Sequence, residues 1–195
     1  MNAAFREFAE NGFEQASTNA IVKEAGIGKG MLFYYFKNKQ GLFYYLIDHS
    51  LDVVIDEYFQ RIDADEGDFI ERLNKAAKIK METFLAHPNL FRFVGAFMLF
   101  DEKEIPDKFK ERLAQIQRLG YELIYENIDY SLFRDDIDVK KAFNLIRWSM
   151  DGYQNEMKAR LKDQNFATID LDPIWEEFHE YLEILKKTFY AQGRD

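Results

Sequence analysis

The chain has no cysteine and only three prolines among its 195 residues. The first absence removes disulfides, thiolate metal sites and a thiol nucleophile. The second leaves few interrupters of a helix. Pro88, Pro106 and Pro173 each stand where a new apolar periodicity opens, the first-turn position that tolerates a missing N–H. No apolar run reaches the ~18 residues of a transmembrane helix, and no basic-then-apolar leader opens the sequence. A cytoplasmic protein without a membrane partner is expected. Three histidines, His49, His87 and His179, are too dispersed to form the paired spacings that coordinate metal on a helix. There is no G-x-S-x-G elbow, no phosphate-binding Gly-Lys-Ser/Thr loop and no dinucleotide fingerprint. The reading is no catalysis, no metal and no cofactor.

Excess positive charge is also missing. The chain holds 26 basic and 35 acidic side chains, a net charge of −9, which argues against indiscriminate binding of nucleic acid by the whole molecule. The acid is unevenly spread. Residues 1–45 balance at +1, leaving −10 for the remainder, and no aspartate or glutamate occurs from Ala25 to Ile47. The charge partition predicts two functional parts.

What is present is helical periodicity. The apolar spacing predicts helices near 2–11, 18–25, 29–35, 39–63, 68–87, 89–101, 106–128, 138–164 and 173–191. Turns are predicted at Asp63 to Asp68 and Tyr130 to Asp136, and a loop near 165–172. Sustained two-residue alternation is absent, so the fold class is all-α, without strands.

The acid-free window reads as two short helices around a tight turn. Ser17 or Thr18 caps a helix carrying Ile21, Val22 and Ala25. Gly26 takes the position just beyond its end, where positive φ costs glycine little. Ile27 is expected buried in the turn, and Gly28 caps the next helix. There Leu32 and Phe36 point inward, while Gly30 and Tyr34 lie outward with Met31 and Phe33 beside them. Asn38 is a strong cap, which puts Lys39 in the first turn of the following helix, against the macrodipole by ~0.3–1 kcal/mol. A bound phosphate would remove that conflict.

The pattern Phe8…Gly12-Phe13…Thr18-x-x-Ile21…Ala25-Gly26-Ile27-x-x-Gly30-x-Leu32-Phe33-x-Tyr35-Phe36-x-Asn38-Lys39-x-x-Leu42 resembles the DNA-binding domain of the TetR family of transcriptional regulators, over roughly residues 4–48. It departs from that pattern at Gly28, often serine, and at Phe33, often tyrosine. The resemblance implies an N-terminal three-helix domain with a helix-turn-helix, residues 1–48, then a larger α-helical domain, residues 49–195, that binds an effector and dimerises through its last two long helices. Carried over by position, Thr18 would meet a backbone phosphate. Lys29, Gly30, Met31 and Tyr34 would lie in the major groove, and Tyr35 and Lys39 would hold flanking phosphates. Lys29 can reach guanine, and Met31 or Tyr34 can pack on a thymine methyl.

In the remainder, apolar stripes suggest a dimer interface at Ile146, Tyr153, Met157, Phe178, Leu182, Leu185 and Phe189. A surplus of aromatics nominates Phe84, Phe97, Tyr121, Tyr125 and Trp148 for an apolar effector pocket, with Glu122, Arg147 and Asp151 as ionisable neighbours. The expected function is that of a homodimeric repressor, released from an inverted-repeat DNA operator by a small, largely apolar effector. Two alternatives compete with it. One is a helical small-molecule-binding or interaction protein that keeps the hairpin only as fold. The other is a DNA-binding activator without a diffusible ligand.

Overall fold

A computed structural model describes residues 1–97, 106–161 and 172–191. Within them the elements are α1 (Asn2–Gln15), α2 (Thr18–Ala25), α3 (Lys29–Phe36), α4 (Lys39–Val53), α5 (Phe69–Ala86), α6 (Pro88–Phe97), α7 (Asp107–Tyr125), α8 (Val139–Leu161) and α9 (Asp172–Phe189). These match the predicted helices to within a few residues; α1 kinks at Gly12 (φ 66°, ψ 179°), next to its predicted end at residue 11, and the predicted ends at 101 and 164 lie outside the described residues. The expected continuation of α4 to residue 63 instead loosens into a π turn over Val54–Tyr58 and a 3-10 turn over Phe59–Arg61. The change begins at Val53, Val54 and Ile55, β-branched side chains that lose rotamer freedom in a helix. Among the described residues the one strand-like feature is an isolated antiparallel bridge between Phe133 and Tyr190. The loop expected near 165–172 lies outside the described residues up to 171.

The chain forms two compact units. The first comprises Met1–Arg61 with Ile79–Tyr121. Its core is aromatic: Phe8, Phe43 and Phe93 meet with ring centroids 5.1 and 5.5 Å apart, and Phe5, Phe97 and Phe109 are buried with them. Each fully buried ring contributes roughly 1.5–3 kcal/mol relative to an exposed one. Leu32 and Leu42 pack α3 and α4 onto this core. The second unit comprises Ile62–Lys78 with Glu122–Asp195. Phe69, Ile70 and Leu73 of α5, Ile146 and Met150 of α8, and Phe178, Leu182 and Leu185 of α9 form its centre.

Arg72 is the unexpected member of the second unit. It is 1% exposed, and its guanidinium donates to the carbonyls of Ala64, Glu66, Leu123, Glu126 and Asn127. Those groups are Leu123 in the last turn of α7, Glu126 and Asn127 just beyond its end, and the turn before α5. One planar fork therefore terminates a helix and holds a loop, which suits arginine's rigid donor geometry. Burial pulls its pKa below the ordinary arginine value. Nearby, the Tyr190 hydroxyl donates to Asp68 and accepts from the Ile70 amide. Burial pushes this phenol upward, so it remains a donor.

Candidate nucleic-acid interface

The turn between α2 and α3 is built from local chemistry. Ser17, rather than Thr18, is the cap of α2, its hydroxyl accepting from the Ala20 amide at 3.3 Å. The Ser17 amide in turn donates to the Glu7 carboxylate at 2.8 Å, tying α2 to α1. Gly26 adopts φ 65°, ψ 29°, the left-handed conformation expected there. Gly28 caps α3. Ile27 departs from expectation: it is 37% exposed, because Ile21 and Leu32 already fill the space beneath the turn.

α3 is anchored by Leu32 alone among its fully buried residues, with Phe33 and Phe36 half-buried beside it. The opposite face is open. Met31, Tyr34 and Tyr35 are 54%, 82% and 70% exposed, and Lys29 and Gly30 lie exposed on the first turn. The Lys29 ammonium lies 5.7 Å from the Phe33 ring centroid. Thr18 is half-buried at the start of α2. An exposed face of aromatics, methionine and lysine with no carboxylate is poorly suited to solvent and well suited to a polyanion.

Lys39 behaves differently from its sequence-based motive. Its ammonium donates to the carbonyls of Glu14 and Ala16 at 3.0 and 3.2 Å and lies 4.9 Å from the Phe13 ring. The end of α1 therefore compensates the cation at the start of α4, and no phosphate is needed to do so. Asn38 caps α4 as expected, accepting from the Gly41 amide at 2.7 Å.

Gly41 is a structural residue beside this face that the sequence reading did not single out. A Cβ placed there would sit 2.1 Å from the Phe36 carbonyl oxygen. That close approach fixes the angle at which α4 leaves α3. Because the obstacle is backbone, Gly41→Ala is expected to destabilise the first unit by about 1–3 kcal/mol or more, read as a lowered midpoint in thermal unfolding. An unchanged midpoint would show that the two helices separate freely.

The residues nominated for a dimer interface lie largely inside the second unit. Ile146, Met157, Phe178, Leu182 and Leu185 are buried within the second unit, and Tyr153 and Phe189 are half-buried at its margin. The Tyr153 hydroxyl donates to the Ile174 carbonyl, and burial pushes it up to about 12. The proposed dimer stripe is thus the seam joining α8 to α9 inside one chain. The residues nominated for the pocket divide between the two units. Phe97 is core and Phe84 rests against Phe91 in the first unit. Tyr125 packs on Phe69 and Phe143 in the second. Tyr121 is exposed, and Trp148 is 59% exposed. Trp148 lies two residues from both Ile146 and Met150, hence about 200° round α8 from each. Arg147 keeps its Nε buried without a hydrogen-bond partner among the described residues.

Two short helices at a fixed angle, the second laid bare along one acid-free face, define a helix-turn-helix DNA-binding regulator. The family model for bacterial regulatory proteins of the tetR family matches residues 1–46. An HTH-type transcriptional regulator of Staphylococcus aureus strain USA300 is 46% identical over 140 residues, 72% of this chain and 68% of that one. The chain belongs to the TetR family of transcriptional regulators. Its fold agrees with the ketosteroid transcriptional regulator KstR2 of Mycobacterium tuberculosis, with a TM-score of 0.66 at 19% identity over 97% of this chain and 92% of that one. It also agrees with the FadR regulator of Bacillus subtilis in complex with stearoyl-CoA, with a TM-score of 0.54 at 18% identity over 94% of each chain. Among the described residues no helix is long and apolar enough to cross a membrane, and no group of three or more acidic or histidine side chains is placed to hold a metal ion.

Proposed function

We propose that this regulator is a homodimeric repressor whose residues 1–48 read an inverted-repeat operator and whose residues 49–195 dimerise and bind the effector that releases it. The observation that carries the reading is the exposed, acid-free face of α3. Lys29, Gly30, Met31 and Tyr34 enter the major groove, while Thr18, Tyr35 and Lys39 meet phosphates. Lys39 has two roles in this account, because its ammonium also holds the end of α1. Lys39→Ala is therefore expected to cost about 1 kcal/mol of stability. It also lowers the magnitude of the log K against log[salt] slope by about one. A stability loss with an unchanged slope would confine Lys39 to the fold.

The dimer surface is the outward face of α8 and α9, where Leu145, Trp148, Tyr181 and Ile184 stand exposed at helical spacing. Large exposed apolar side chains at i, i+3 on two neighbouring helices suit a four-helix interface with a second copy. Trp148→Glu is expected to yield a monomer by light scattering at micromolar concentration and to weaken operator binding. A Trp148→Glu protein that remains dimeric would exclude this face.

The effector is small and largely apolar, with an anionic group directed to Arg147. Its Nε, buried without a hydrogen-bond partner among the described residues, supports the anion. The structural neighbours named for a ketosteroid and for stearoyl-CoA suggest the first probes. Binding measured with and without operator tests release, because coupling is reciprocal: operator must weaken the effector by the factor by which effector weakens operator. Equal affinities in both titrations would leave a DNA-binding dimer without ligand release.

A further inference from the structure

At the C-terminal end of α3 a groove of about 400 Å³ opens to solvent, lined by Tyr35, Phe36, Lys37, Gly41 and Tyr45. Its depth follows from Gly41, which lets α4 pass close to the Phe36 carbonyl. Its wall is a series of rings. Tyr34 meets Tyr35 at 5.2 Å, Tyr35 meets Phe36 at 6.4 Å, and Phe36 meets Tyr45 of α4 at 5.2 Å. The aromatic surface that begins on α3 therefore continues onto α4, where Tyr45 is 45% exposed.

Lys37 stands at the rim. The Asn38 amide donates to the Phe36 carbonyl at 2.7 Å across Lys37, whose φ of 65° and ψ of −51° make a γ-turn. Among the described residues no carboxylate lies within ion-pair distance of its ammonium. The first acid after the window, Asp48, is engaged by Arg112 at 2.8 Å and by Lys108 at 3.9 Å. The groove thus offers exposed rings, phenol donors and a lysine that no carboxylate among the described residues engages, and it is continuous with the face of α3.

We propose that this groove carries the sugar–phosphate backbone of the operator just outside the bases that α3 reads, with Lys37 and the Tyr45 hydroxyl meeting flanking phosphates. The proposal rests on the reading of α3 as the DNA-reading helix, and it adds a second contact zone on α4. Phosphate contacts carry no base information, so affinity depends on the length of the flank and not on its sequence.

The test uses the full chain and an operator selected from random duplex DNA. One duplex extends ~5 base pairs, half a turn, beyond the specified bases on each side, and the other is trimmed flush with them. Lys37→Gln, Tyr45→Phe and the double variant are compared with wild type, after thermal unfolding confirms equal stability. Trimming is expected to weaken wild type roughly tenfold and the double variant by less than about twofold, and Lys37→Gln is expected to lower the salt slope by about one on the long duplex only. A double variant that loses as much on trimming as wild type, or that weakens equally on both duplexes, overturns the proposal. Wild type that binds both duplexes equally well removes the groove from the interface while the DNA reading stands. Wild type that does not distinguish operator from random duplex removes the DNA reading, and this proposal with it.

Discussion

Gly30→Leu is expected to abolish operator binding while leaving the protein folded. Gly30 is the second residue of α3, and a Cβ added there meets nothing within 4 Å. The leucine therefore projects into solvent in the free protein and strains nothing. It also replaces the poorest ordinary helix former with one of the best, a gain of up to about 1 kcal/mol. On DNA the same side chain stands between the backbone of α3 and the base edges. Loss of close approach along a reading helix removes several contacts at once, each side-chain contact with a base edge being worth ~1–3 kcal/mol, so affinity falls by about 100-fold or more. Fluorescence anisotropy with the selected operator measures the first effect, and circular dichroism melting the second. A Gly30→Leu protein that binds as tightly as wild type would show that this face does not enter the groove. One that unfolds would show that Gly30 serves the fold.

Arg72→Met is the counterpart in the second unit: it conserves the apolar stem and removes the guanidinium. Five backbone carbonyls lose their donor together. A hydrogen bond to a charged group contributes ~1.5–3 kcal/mol, and a buried acceptor left unpaired costs ~1–3 kcal/mol. Some of these carbonyls will recover water, so a net loss of about 3 kcal/mol is expected. For a chain of this size that lowers the melting midpoint by roughly 6–12 °C. Arg72→Lys should recover little of it, since one ammonium cannot span five acceptors. A melting midpoint within about 2 °C of wild type in Arg72→Met would mean that solvent replaces the fork at negligible cost.

The helices were legible because their apolar spacing, caps and turn glycines agree with one another. Ser17, Gly26, Gly28 and Asn38 stand where local chemistry puts them. The outward face of α3 was legible for the same reason: with Leu32 inside, Gly30 and Tyr34 must point out. Phase within the later helices was not. The stripe containing Ile146, Phe178, Leu182 and Leu185 has the spacing of any buried face, and nothing in that spacing separates a core from a subunit interface. Trp148 and Ile184 lie on the opposite faces, and their exposure appears only once α8 is laid against α9. Arg72 did leave a trace. It falls three residues after Phe69 and four before Ala76, on the apolar side of α5, where a charged residue signals a buried partner. Its partners are carbonyls distant in sequence, and no pattern along the chain names them. Gly41 was equally silent, because an N-terminal helical glycine reads as ordinary until the Phe36 carbonyl is placed beside it. Lys39 was placed in the right turn, but its partners belong to α1.

The central claim is that two copies of a small module with an acid-free reading helix, each joined to a strongly acidic remainder, read a symmetric site. Enrichment of the wild-type protein's binding sites from random duplex DNA tests it most directly. The account predicts an inverted repeat whose half-sites lie on one face of the duplex, centred one turn of ~34–36 Å or a multiple of it apart. Enrichment of a site without dyad symmetry, or no enrichment over random duplex at about 0.15 M salt, would contradict it.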